Sequence, residues 1–201
     1  VTRLPRSQRR EQLLTIAAQH FGINGYVRSS MDAIAKEAAI SKPVLYQHFE
    51  GKEDIYRAIF NDHLKMLGEK LTQAFDEESD SERQCVYKCV AAAFEFASRP
   101  DRPFRVILDR STPLESELDR VRREFLGKIT DKIHTLMVDD SHLTDQQTRL
   151  VSSMVTITVI SAAHGWTYMS KDQQQTEELG PNQTAEIVTD MLREGISVFR
   201  N

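Results

Sequence analysis

Cysteine is scarce in this chain of 201 residues, which has only Cys85 and Cys89. Two thiols four residues apart make no disulfide framework. Their spacing puts them on one helix face, so the sequence predicts core packing in a reducing compartment. A metal or redox role would need further ligands, and no His or other Cys lies nearby at usual ligand spacing. The six histidines do not cluster, and His164 is read as a satisfied core residue. Long apolar runs are also missing. The most apolar stretch, Met154–Trp166, is interrupted by Thr, Ser and His. It falls short of the roughly 20 apolar residues that span a bilayer. The basic start, VTRLPRSQRREQ, lacks the apolar run of a signal peptide. There is no G-x-S-x-G, no H-E-x-x-H and no glycine-rich phosphate loop, so no motif points to an enzyme. The sequence shows no strand pattern, internal repeat or low-complexity tract. The expectation is a soluble, cytoplasmic protein without cofactor or metal and with no membrane partner.

Charge is present and unevenly placed. Residues 1–49 hold seven Lys/Arg and three Asp/Glu, while residues 50–201 hold nineteen and twenty-seven. The first segment is thus net +4 and the rest net −8, within an overall −4. A basic segment on an acidic body suits a polyanionic partner. Chance clustering of Arg3, Arg6, Arg9 and Arg10 is the plainer alternative.

The hydrophobic pattern is helical throughout, giving an all-α fold. Leu13, Ala17 and Phe21 recur every four residues in a helix from about Ser7, stopped by Gly22. Ser29 with Asp32 fits a capping box for a short helix whose inward face is Ile34, Ala35 and Ala38. After a tight turn, Ser41 caps another short helix. Its Pro43 falls in the first turn, where a missing N–H costs little. Ile55, Ile59, Phe60, His63, Leu64, Leu67, Leu71 and Phe75 form one long apolar stripe. Further helices start at Ser81 with Gln84, at Phe104, at Thr112-Pro113 and at Thr144 with Gln147. Residues 171–183 read as a polar loop, followed by a last helix carrying Ile187, Val188, Met191, Leu192, Ile196 and Phe199. The expected domains are 1–52 and 53–201, with 53–76 a connecting helix.

Three short helices with a tight turn before the third describe a helix-turn-helix, whose last helix enters the DNA major groove. With Leu45 and Phe49 inward, about 100° per residue turns Pro43, Val44, Tyr46 and Gln47 outward and leaves His48 on the flank. Gln can pair with adenine N6 and N7, and Val can touch a thymine methyl. Tyr46, His48, Lys42, Lys52 and the hydroxyls of Ser29 and Ser30 suit phosphates. The alternative is a small helical bundle with a polar surface. A helix facing only solvent would more usually carry Lys and Glu.

The segment GYVRSSMDAIAKEAAISKPVLYQHFEGKEDIYRAIF resembles the DNA-binding domain of TetR-family transcriptional regulators. The shared pattern includes Phe21, Gly25-Tyr26, Ile34-Ala35, Ile40-Ser41, Leu45-Tyr46, His48-Phe49 and Lys52-Glu53. It covers about residues 7–60. Ala39 departs from the family's usual turn glycine and would be mildly strained at positive φ. The resemblance implies a homodimeric regulator, most often a repressor, that binds double-stranded DNA and loses affinity when a small ligand binds its C-terminal domain. SKPVLYQHF and the later FRVIL are also similar to a branch of fatty-acid-synthesis regulators that sense long-chain acyl-coenzyme A. The competing reading is a helical ligand-binding or scaffold protein that keeps the motif only as structure.

For the body, the last two helices are the expected dimer face, because Thr156, Ser161, Ala162, Ala163 and Gly165 permit close helix approach. Phe94, Phe96, Phe104, Met154, Trp166 and Tyr168 are candidates to line an apolar ligand cavity. Arg105 is the candidate for an acidic ligand group. Plain core packing is the alternative for each aromatic, and a surface ion pair for Arg105.

Overall fold

The computed structural model describes residues 5–138, 142–172 and 179–199. Arg3 and residues 173–178 lie outside the described residues; of the expected 171–183 loop, 171–172 and 181–183 are helical instead. Among those described there are nine helices and no strand. They are α1 (Arg6–Asn24), α2 (Met31–Glu37), α3 (Lys42–Tyr46), α4 (Lys52–Asp76), α5 (Glu82–Ala97), α6 (Pro103–Ile107), α7 (Glu115–Met137), α8 (Asp145–Asp172) and α9 (Pro181–Ser197).

The chain forms two compact units. The first joins Val1–Lys65 with Arg99–Arg120, and the second joins Met66–Ser98 with Val121–Asn201. A boundary at residue 52 therefore differs from the observed division, and packing explains why. Tyr56, fully buried on α4, meets Phe21 and Tyr26 edge-on at 5.0 and 5.1 Å. Its hydroxyl donates to the Val106 carbonyl at 3.0 Å. Phe104, Val106 and Ile107 of α6 are buried in the same unit. The 99–120 segment thus completes the core of α1–α3.

Several local choices have identifiable causes. Helix α1 does not stop at Gly22 but runs to Asn24. Gly25 takes the positive φ of 72° and returns its N–H to the Phe21 carbonyl. Gly22 instead lets the Asp101 backbone approach closely. Ser30, not Ser29, caps α2, accepting from the Ala33 amide. The α2–α3 turn places Ala39 at φ 51°. The Ile40 amide reaches the Ala35 carbonyl and the Ala39 amide reaches the Lys36 carbonyl, a Schellman closure. The strain anticipated at Ala39 is therefore present.

In the second unit α5 packs on α8 and α9. Ser81 caps α5, and Thr144 exchanges hydrogen bonds with Gln147 at the start of α8. Within α8, Asp145–Met169 is long and apolar enough, by length and composition, to cross a membrane. This corrects the reading from the shorter stretch. The helix also buries Thr148, Ser152 and Thr156, whose hydroxyls donate to carbonyls one turn earlier. One face of α8 thus packs on α5 and α9, while only 22% of its apolar window is buried and Leu150, Met154 and Ile157 stay exposed.

Candidate functional site

The third helix is short and held from beneath. Leu45 is fully buried and Phe49 nearly so. Lys42, Pro43, Tyr46 and Gln47 are exposed, while Val44 and His48 are half-buried. Pro43 lies in the first turn of α3, where no helical hydrogen bond is lost. The outward face is therefore made of Pro43, Tyr46 and Gln47, with Val44 beside them. Its polar atoms suit base edges and phosphates. Lys42 meets Asp32 at 3.0 Å in an exposed pair, and the carboxylate raises the lysine pKa through its hydrogen bond and its charge.

Two candidate contacts are placed differently. Ser29 is buried, and its hydroxyl donates to the Gly25 carbonyl at 2.6 Å, which fastens the loop. The Lys52 ammonium donates to the Tyr26 and Ser29 carbonyls at 3.1 and 3.0 Å and lies 4.0 Å from the Tyr26 ring centroid. It ties α4 to the loop before α2. Ser30 is exposed and its hydroxyl is engaged as the α2 cap.

The expected ligand residues are not brought together. Phe104 and Arg105 belong to the first unit. Phe104 is core there, and Arg105 donates to the Gly22 and Ile23 carbonyls at 3.2 and 2.9 Å, capping the end of α1. Phe94 and Phe96 are fully buried in the second unit, with Phe94 edge-on to Trp166 at 6.0 Å. Trp166 donates its indole N–H to the Leu179 carbonyl at 2.9 Å. Met154 and Tyr168 are exposed.

A different set encloses an apolar cavity of about 220 Å³ in the second unit. It is lined by Leu71 and Phe75 of α4, Cys85, Cys89 and Val90 of α5, Ile129 and Ile133 of α7, Val155 and Thr156 of α8, and Leu192 of α9. No charged side chain lines it. The Thr156 hydroxyl is committed to the Ser152 carbonyl and to Thr130. Burial, with Cys85 beside it, pushes the Cys89 thiol up to about 12, so it stays protonated and behaves as a small apolar group. None of the seven expected ligand residues lines this cavity. The signal for it lay in the i, i+4 spacing of Cys85-Cys89 and Ile129-Ile133, which alone cannot be told from core. Among the described residues, no group of three or more His, Cys, Asp or Glu is placed to hold a metal ion.

A helix-turn-helix unit completed by α6 and joined in one chain to a helical unit with an apolar cavity defines a DNA-binding regulator class. The description "Bacterial regulatory proteins, tetR family" matches residues 13–59. The HTH-type transcriptional activator FasR of Mycolicibacterium smegmatis is 34% identical over 163 residues, covering 81% of this chain and 74% of that protein. The chain belongs to the TetR family of transcriptional regulators, which bind DNA, act as dimers, respond to small-molecule effectors and are not enzymes. Two solved structures share the fold. A TetR-like regulator from Rhodococcus sp. RHA1 has TM-score 0.74 at 21% identity, covering 97% of this chain and 99% of its own. The fatty acid degradation regulator FadR from Bacillus halodurans has TM-score 0.73 at 18% identity, covering 98% of each.

Proposed function

We propose that this chain is a sequence-specific regulator that binds a palindromic operator as a homodimer and is released by a small apolar ligand. The observation that carries the reading is the outward face of α3, with Leu45 and Phe49 anchored beneath it. Gln47 reads a base, Val44 and Pro43 make apolar contact, and Lys42, Ser30, Tyr46 and His48 meet phosphates. One five-residue helix makes few contacts, so two copies about one helical turn apart supply the affinity. The dimer forms through α8 and α9. Leu150, Met154 and Ile157 of α8 and Ile187 and Met191 of α9 are each more than half exposed in the single chain. Ser161 and Gly165 are exposed beside them, while Thr156 and Ala163 are buried within the subunit. Such a protein works in the cytoplasm, where the DNA is.

The effector is a hydrocarbon-bearing molecule. A cavity with no charge and no free hydroxyl takes a methylene chain, so the polar part of an acyl-coenzyme A would sit outside it. In support, a relative from Bacillus subtilis 26% identical over 73 residues is named a fatty acid metabolism regulator. The ligand must favour one state of the protein over the DNA-binding one by a few kcal/mol, since equal affinity shifts nothing. Repression is the usual outcome for this family. Activation is the second reading, favoured by the activator name of the relative from Mycolicibacterium smegmatis. A reporter gene behind the operator separates the two.

The test of DNA reading is selection of bound duplexes from a random pool, followed by anisotropy titration of Gln47→Ala. The variant should lose about 1–3 kcal/mol of discrimination at one position in each half-site. Unchanged base preference would sink the assignment of Gln47.

A further inference from the structure

Three arginines of α1 converge on the end of α3. Arg6 Nη2 donates to the carbonyl of Gln47, the residue that caps α3, at 3.1 Å. The Arg10 guanidinium lies 4.7 Å from the Phe49 ring centroid. Arg9 lies between them in sequence and donates to Gln12 at 3.0 Å. His48 feels all three: burial, and then the positive charges of Arg6, Arg9 and Arg10, hold its imidazole below the usual histidine range.

Several other cations of this chain have a carboxylate. Lys42 meets Asp32 at 3.0 Å, Arg57 meets Glu117 at 2.8 Å and Arg83 meets Asp190 at 2.9 Å. Among the described residues, none of the three α1 arginines does. Three guanidinium groups gathered without a counter-charge repel one another, and the surplus is relieved by an external anion. That anion must lie where residues 47–49 lie. On the DNA-binding reading of α3, on which this inference rests, it is a phosphate of the duplex in which α3 sits. Guanidinium suits the task, because its fork matches phosphate oxygens in pairs.

We propose that Arg6, Arg9 and Arg10 form a phosphate clamp on the DNA backbone beside the recognition helix. The clamp sets how deeply and at what angle α3 enters the groove and carries no base information of its own. Arg6 links the two functions, with one arm of its fork on the Gln47 carbonyl and the other directed to the phosphate.

The test uses the full chain and the operator duplex recovered by selection, followed by fluorescence anisotropy from low to moderate salt. Arg6→Ala and Arg9→Ala should each make the slope of log K against log salt shallower by about one, and the double variant by about two. Arg6→Lys should keep the slope, because charge is retained. Preference among single-base operator variants should not change in any of them. Arg10 is left intact because it also packs on Phe49. Thermal unfolding of each variant identifies a merely structural role. If Arg6→Ala lowers stability while the salt slopes of both single variants match the unmodified chain, the clamp is refuted. Altered base preference with an unaltered slope refutes it as well. An unmodified chain that binds no duplex overturns both this inference and the DNA-binding reading beneath it.

Discussion

Replacing Gly22 with alanine tests whether the 99–105 segment truly belongs to the DNA-binding unit. Gly22 lies inside α1, where alanine would ordinarily be favoured by about 1 kcal/mol. Here a Cβ would fall 2.8 Å from the Asp101 carbonyl carbon, closer still to its oxygen, and 3.3 Å from the Arg102 Cβ. Ordinary carbon contacts begin near 3.5 Å, so the turn must retreat by about 1 Å. It is poorly placed to do so. Asp101 is held by His63 at 3.2 Å and by Arg99 at 2.8 and 3.0 Å, and Arg105 grips the end of α1. Overpacking against a pinned backbone costs about 1–3 kcal/mol, and charged hydrogen bonds loosened with it cost about 1.5–3 kcal/mol each. After the propensity gain, Gly22→Ala should be less stable by about 2–3 kcal/mol in urea unfolding. Gly127→Ala is the control. Nothing lies within 4 Å of its added Cβ, so it should gain about 0.5–1 kcal/mol. If Gly22→Ala proves as stable as the unmodified chain, the close packing of α1 on the 99–102 turn is wrong.

Three further outcomes are expected. Ala39→Gly should stabilise the chain by about 1 kcal/mol in the same unfolding assay, because Ala39 sits at φ 51° in a closure that glycine enters without strain. Asp101→Asn should cost about 2–4 kcal/mol at neutral pH. Burial alone would raise the Asp101 pKa, but hydrogen bonds from His63 and Arg99 and their charges hold the carboxyl well below the usual range. A pKa depressed by folding contributes above the unfolded value near 3.9 and is lost as pH falls, so the gap between variant and unmodified chain should shrink in unfolding curves below about pH 4. Cys89→Phe should fill the cavity and weaken a long-chain hydrocarbon ligand at least about tenfold by calorimetry, leaving operator affinity unchanged without ligand.

How far the sequence carried these conclusions depends on the range of each interaction. The inward pair Leu45 and Phe49 and the outward turn of Pro43, Tyr46 and Gln47 follow from helical spacing alone, and the structure places them so. The Ser81 and Thr144 starts were legible because a cap bonds an amide two or three residues on. Contacts went unseen where a partner lies far along the chain. Spacing did not reveal the Tyr26 and Ser29 carbonyls beside the Lys52 ammonium. Arg105, read as a ligand contact or a surface ion pair, instead caps α1. Gly22 looks like a helix stop because its role, to admit the Asp101 backbone, is set 79 residues away.

The cavity sharpens the same point in the opposite direction. Large aromatics were the natural candidates for a ligand pocket, yet Phe94, Phe96 and Phe104 are buried in the core and none of them lines the cavity, where Phe75 is the one aromatic. The cavity opens instead where side chains are small or branched, among Cys85, Cys89, Thr156 and Val155. A void needs missing volume, and aromatic rings supply volume. A helix face carrying Cys at i and i+4 opposite β-branched residues on two other helices is therefore the better place to look for a ligand chamber in a bundle of this kind. The shape of that ligand is then set by what the wall withholds. On the proposed function, with no charge on offer and the threonine hydroxyl spoken for, such a cavity would discriminate by chain length and branching, which is how a hydrocarbon-sensing regulator would have to read its effector.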